Sequence, residues 1–263
     1  MQRIKLTIEY DGTAYAGWQV QTNGLGVQEV VEVALEKLLG TFVRLHSASR
    51  TDAGVHSRGM VAHFDTDRDL QLGAYREGLN RFLPEDVSIR RAESVAGEFH
   101  SRFSNSGKWY RYSLCLEPVR SPLHARTSWL VKDSLDIALM REAGQNFIGC
   151  YDFSAFRASG CTAKTTRKEI TAVDLTEQEP LLLVDVRGSG FLRNMVRIMV
   201  GTLLEVGLHL KTPEDIKCLL SSGDRHAAGR TAPAHGLCLM KIDYQEGYSR
   251  IGTDLHGGML NKS

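Results

Sequence analysis

The 263-residue chain is 42% hydrophobic and 24% charged, and its 32 basic residues against 31 acidic ones leave a net charge of +1. That length holds one large domain or two small ones packed together, and near-neutrality excludes a protein that gathers nucleic acid through bulk charge, so any polyanion contact must come from local patches. The most apolar long stretch, 191–210, carries Arg193, Arg197 and Glu205, so no membrane span is expected; Met1 leads directly into a strand pattern, so no signal peptide is expected, and five scattered cysteines without metal-ligand spacing suit a reducing cytoplasm.

In chain order, Ile4, Leu6, Ile8 and Tyr10 alternate as on a half-buried strand. Val27, Val30, Ala34, Leu35 and Leu38 keep helical spacing, and Gly40 stops that helix. Two strands, Thr41 to Ser47 and Gly59 to Thr66, are expected on either side of the loop Ser49-Arg50-Thr51-Asp52-Ala53-Gly54-Val55-His56. Leu70 to Phe82 predict a second helix closed by Pro84, and Val87, Ile89 and Arg91 a further strand, giving the order β-α-β-β-α-β. A Ser-, Asn- and Arg-rich linker, Ala96 to Gly107, follows.

The second half repeats that order with one extra helix. Tyr110, Tyr112, Leu114 and Leu116 alternate; Leu135 to Phe147 predict a helix; Glu169 to Leu175 and Leu181 to Val186 predict strands joined at Glu179-Pro180. Phe191 to Val206 and Pro213 to Leu220 predict helices, and Gly236 to Tyr244 a last strand. The tail after Gln245 is polar and Gly-rich and is expected to be loosely ordered. The pattern predicts an α+β fold of two ferredoxin-like βαββαβ units, 1–95 and 108–245, joined by the linker 96–107. Their antiparallel sheets should adjoin, with helices on one face and a ligand cleft between the units.

Chemistry concentrates in the Asp52 loop. Gly54 permits a tight turn with positive φ, and an ionised carboxylate held among small residues can act as a base or a nucleophile. Arg50 is one possible partner for it. Taken alone, Asp-Ala-Gly is a turn and Arg-x-Asp a weak surface pair. Tyr110, near the start of its strand, can stack on a base or take a proton, whereas Tyr112 reads as core. Arg102, Lys108 and Arg111 cluster around the linker and Lys164, Arg167 and Lys168 before a strand. If these clusters line one cleft, they form a track for a phosphate backbone. His46, His56 and His63 fall near Asp52 but lack zinc-site spacing, so no metal is expected.

The string Arg50-Thr51-Asp52-Ala53-Gly54-Val55-His56 resembles the catalytic motif of the TruA family of tRNA pseudouridine synthases. Further segments resemble that family in the same order: Glu9-Tyr10-Asp11-Gly12-Thr13, Gly17-Trp18-Gln19, Phe99-His100-Ser101-Arg102-Phe103, Tyr151 to Arg157, Phe191-Leu192-Arg193-Asn194-Met195-Val196-Arg197 and Thr231 to Leu237. Three positions depart from it: Ser49 and Tyr151 stand where the family usually has Gly and His, and Arg230 where it has Pro. A serine at a glycine position with positive φ would cost roughly 1 kcal/mol or shift the loop.

The resemblance implies isomerisation of uridine to pseudouridine at positions 38–40 of the tRNA anticodon stem-loop. Asp52 would be the nucleophile, Arg197 its ionic partner, and Tyr110 would line the site. Phe191 opens the same motif as Arg197 and joins Tyr110 and Arg50 as an expected substrate-binding residue. Arg50 would be left to contact RNA or fill the place of a flipped base. A homodimer is implied, with no nucleotide cofactor and no other cofactor. Two other readings stay open at this point: an RNA-binding protein without catalysis, and a metal-dependent hydrolase.

Overall fold

The computed structural model of the protein describes residues 1–245, so the expectation for the tail after Gln245 lies outside the described residues. The strands are β1 (Gln2–Tyr10), β2 (His46–Ser47), β3 (His56–Thr66), β4 (Val87–Val95), β5 (Asn105–Leu116), β6 (Trp129–Val131), β7 (Gly149–Asp152), β8 (Arg167–Gln178), β9 (Leu181–Gly188) and β10 (Leu237–Tyr244). The α-helices are α1 (Val27–Leu39), α2 (Ile137–Gln145), α3 (Met195–Gly207) and α4 (Pro213–Ser222). All ten strands form one sheet in the order β4-β1-β3-β10-β5-β9-β8-β7, with β2 added to β3 and β6 to β5. Pairing is antiparallel except at β5–β6 and at the seam between the halves, where β3 and β10 meet in parallel through Cys238↔His56 and Leu239↔Ser57.

Alternation in β1 is fully expressed, with Ile4, Leu6 and Ile8 wholly buried on one face. Gly40 ends α1 in the left-handed conformation that spacing assigned to it (φ 74°). Other boundaries shift. Only His46–Ser47 of the expected Thr41–Ser47 strand pairs, while β3 begins at His56 rather than Gly59. The expected helix from Leu70 to Phe82 shrinks to residues 72–80, and its middle, Ala74–Gly78, is wound as π-helix between Gly73 and Gly78. The expected helix from Phe191 starts only at Met195, because Asn194 adopts φ 60° and cannot continue an α-helix. Strands β6 and β7 have three and four residues and carry no alternation long enough to read.

α3 is buried almost all round. The segment leading into β10 lies directly on it, at Gly201, where a β-carbon would stand 1.8 Å from the Arg230 carbonyl oxygen. Only glycine permits that approach.

A buried carboxylate braces the approach to the Asp52 loop. Glu32 of α1 accepts from the Leu45 backbone N–H (3.0 Å), from Gln28 (2.9 Å) and from Arg44 (2.8 Å). Glu32→Ala would strand the buried Leu45 N–H, and unfolding in urea is expected to show a loss of about 2–3 kcal/mol. An unchanged midpoint would show that the brace contributes nothing.

Candidate active site

The Asp52 loop is pinned from both sides. The Trp18 N–H donates to the Thr51 carbonyl (3.1 Å), the Val55 N–H to the Asp52 carbonyl (3.1 Å), and the Tyr10 and Thr51 hydroxyls meet at 2.8 Å. Gly54 turns the chain with φ 77°, as its place in the motif requires. At the end of the loop, Nε2 of His56 donates to the carbonyls of Arg126 (2.8 Å) and His235 (3.1 Å), while Nδ1 accepts from the Gly12 N–H (3.1 Å). His56 thereby ties three segments behind Asp52. His46 and His63 lie elsewhere, their rings stacked 5.2 Å apart and packed on His100. Among the described residues no group of three or more His, Cys, Asp or Glu side chains is placed to hold a metal ion.

The Asp52 carboxylate faces two guanidinium groups. Arg197 Nη1 stands 3.6 Å from Oδ2 and Arg193 Nε 4.0 Å from Oδ1. Arg197 is held in place by donating Nε to the Ala232 carbonyl (2.7 Å) and Nη1 to Asn194 Oδ1 (2.9 Å). Burial pushes the Asp52 carboxyl above its ordinary range; Arg197, and then Arg193, pull it back without cancelling the rise. Arg50 is exposed and, among the described residues, has no hydrogen bond or ion pair. The carboxylate partner that the motif offered two positions upstream is therefore supplied by α3 and the turn before it. Arg193 is absent from the residues expected at the site. It is exposed and stands one residue before the left-handed turn at Asn194.

Tyr110 is 6% exposed, with its ring edge-on to Phe191 at 5.2 Å and its hydroxyl 3.1 Å from Ser49 Oγ. Burial, aided by the nearby Asp52 charge and opposed by the Ser49 hydrogen bond, pushes the phenol up to about 12. Tyr112 is core, fully buried with its hydroxyl donating to the Pro233 carbonyl (2.8 Å).

The basic residues divide. Burial pushes Lys108 down to about 8, and Arg102 and Lys168 push the same way, so linker, β5 and β8 bring three cations into one neighbourhood. Lys108 is not free on the surface: Nζ donates to the Ala48 carbonyl (3.0 Å). Lys164 and Arg167 are exposed, with Arg167 donating to the Cys150 carbonyl (3.3 Å). Arg111 does not join them. It alternates to the opposite face of β5 and is held by Asp185 through both carboxylate oxygens, at 2.9 and 2.8 Å. A two-pronged pair leaves little of its guanidinium for a phosphate. A cleft of about 670 Å³ is on that opposite face too, lined by Arg58, Arg111, Cys238 and Met240 and not by Asp52 or Tyr110. The Asp52 carboxylate is half-buried and Tyr110 is buried beside it.

A family model described as tRNA pseudouridine synthase matches residues 6–104 and 143–245. A protein of Syntrophotalea carbinolica named tRNA pseudouridine synthase A is 56% identical over 93% of this chain and 97% of its own length. Proteins of the same name from Citrifermentans bemidjiense and Myxococcus xanthus are 55% and 47% identical, each over 94% of this chain and over 99% and 94% of their own lengths.

Proposed function

The chain belongs to the tRNA pseudouridine synthase family, an isomerase family that acts on uridine in tRNA, and we propose that it modifies positions 38–40 of the anticodon stem-loop with Asp52 as nucleophile. The observation that carries this reading is the carboxylate held between Arg197 and Arg193 beside the buried Tyr110 ring.

The reaction breaks the N1–C1′ bond, turns the base and joins C5 to C1′. It is a rearrangement: no electron is gained or lost and no water is added, so the chemistry requires no cofactor. A carboxylate cannot reach C1′ inside a stack, so the uridine must first leave it. Asp52 then attacks the sugar or acts through a glycal route. Arg197 keeps it ionised against its burial. Tyr110 and Phe191 receive the extruded base as a ring platform, and exposed Arg50 contacts the RNA or fills the vacated place. Arg102, Lys168, Lys164 and Arg167 form the phosphate track, supported by the neighbourhood that Arg102 and Lys168 share. Lys108 is drawn inward from that track and Arg111 lies off it.

Each half is read as a ferredoxin-like unit on either side of the linker 96–107; the strand orders β4-β1-β3-β2 and β10-β5-β9-β8 support this. The protein is read as a cytoplasmic homodimer in which one tRNA touches both subunits.

The test is tritium release from tRNA transcripts labelled at uridine C5. Release is expected when uridine occupies positions 38–40 and should stop when those positions are cytidine, with chelator making no difference. Bound tRNA without release would replace this reading with that of a binding protein; release dependent on other uridines would overturn the site assignment alone.

A further inference from the structure

Ser49 stands where glycine is usual in the family. Its φ lies outside the left-handed region, so the side chain brings no backbone strain. What it adds is an oxygen between two side chains of β5. Ser49 Oγ is 3.1 Å from the Tyr110 hydroxyl and 3.4 Å from Lys108 Nζ. Lys108 and Tyr110 are two residues apart on the strand and so face the same side. The surroundings of Lys108 are mostly cationic or neutral. Arg102 comes from the linker and Lys168 from β8. Glu169 of β8, Arg187 of β9 and Asp243 of β10 line a cleft of about 200 Å³ with it. Asp243 is engaged by Lys241 at 2.6 Å. Beyond Tyr110 lies Asp52. Among the described residues, no carboxylate forms an ion pair with Lys108.

The rearrangement has one proton to dispose of. Once C5 is joined to C1′, C5 still carries its hydrogen, and the uracil ring is restored only when that proton leaves. Tyr110 touches the base in the proposed pose, but a buried phenol in this setting keeps its own proton. It can pass a proton on only if a further group accepts one. We infer that Lys108 is that acceptor, reached from the uracil C5 through the hydroxyls of Tyr110 and Ser49. The C5–H bond breaks and its electron pair re-forms the C5=C6 double bond. The proton goes to the Tyr110 oxygen as the Tyr110 proton moves to Ser49 Oγ and the Ser49 proton to the lone pair on Nζ. The hydroxyls end as they began, and the amine becomes an ammonium that later returns its proton to solvent. A lysine depressed to about 8 supplies a useful fraction of neutral amine near neutrality. Lys108 and Ser49 are positioning residues that act through Tyr110. The inference rests on the pseudouridine-forming reading above.

The experiment is single-turnover tritium release from uridine C5 as a function of pH. It compares the native enzyme with Lys108→Arg, Lys108→Ala and Ser49→Ala, with tRNA affinity measured in parallel. The native rate is expected to rise along a limb centred near pH 8. Lys108→Arg keeps the charge but cannot give up its proton; it should release about 100-fold more slowly and lose the limb. Ser49→Ala should be similarly slow, and added methylamine should partly restore Lys108→Ala, all with tRNA affinity nearly unchanged. A Lys108→Arg enzyme with the native rate and limb overturns the relay, as does a slow one that keeps the limb. If Lys108→Ala misfolds, Lys108→Arg and Ser49→Ala decide. A native enzyme that releases no tritium defeats the pseudouridine reading itself, and the relay with it; native release with unaffected variants defeats the relay alone.

Discussion

Asp52→Asn is expected to lower the rate of tritium release by about four orders of magnitude or more, with tRNA affinity changed by less than about threefold. The amide keeps the shape of the carboxylate and its contacts with Arg197 and Arg193 but cannot attack C1′. Residual release within about tenfold of native would remove Asp52 as the nucleophile. The same substitution carries a stability signature. Burial raises the Asp52 carboxyl in the folded protein, so the fold binds that proton more tightly than the unfolded chain does. Such a group favours folding while protonated and penalises it once ionised, as pH rises through its folded-state value. Asp52→Asn should therefore melt above the native protein at neutral pH, and the advantage should shrink as pH falls through that value. Arg197 is not stranded by the change, because the Ala232 carbonyl and Asn194 still accept from it.

Arg197→Met should slow release about 100-fold at neutral pH and shift the acid limb of the pH profile upward. Without Arg197, the burial that raises Asp52 is opposed only by Arg193, which stands at 4.0 Å with its side chain 56% exposed, where screening is strong. Raising the pH should recover part of the lost rate. A variant equally slow at every pH would show that Arg197 holds the loop at Ala232 rather than the charge on Asp52. Arg197→Lys should lie between the two, since a lysine restores the charge but not the fixed geometry of three contacts.

The strands and helices that could be read in advance are those whose burial repeats along the chain. β1 alternates over nine residues and α1 holds its apolar stripe to a glycine stop, so each carries its own evidence. α3 misled at its start because the apolar run begins at Phe191, while the helix waits for the turn at Asn194. Residues 72–80 carry a helical pattern that two glycines weaken into a π-wound turn. Within the candidate site, Gly54 announces its turn through the local demands of a tight loop, Asp52 stood out only with the resemblance of its whole motif, and Tyr110, expected near the start of its strand, lies in the middle of β5.

Sequence alone sufficed for what depends on neighbours along the chain: the alternating strands, the helix stop at Gly40 and the sharp loop around Asp52. Ordered motifs added the family. Pairings between distant segments were left to the tertiary structure. Sheet register sends Arg111 to Asp185 on one face of β5 and Lys108 to Ala48 and Ser49 on the other. The turn before α3 brings Arg193 to Asp52, and Gly201 lets the last crossover lie close enough to clamp Arg197. Those outcomes turn on distances of a few ångströms between groups far apart in the chain, and residue type and spacing do not contain that information until the ten strands have been placed in order.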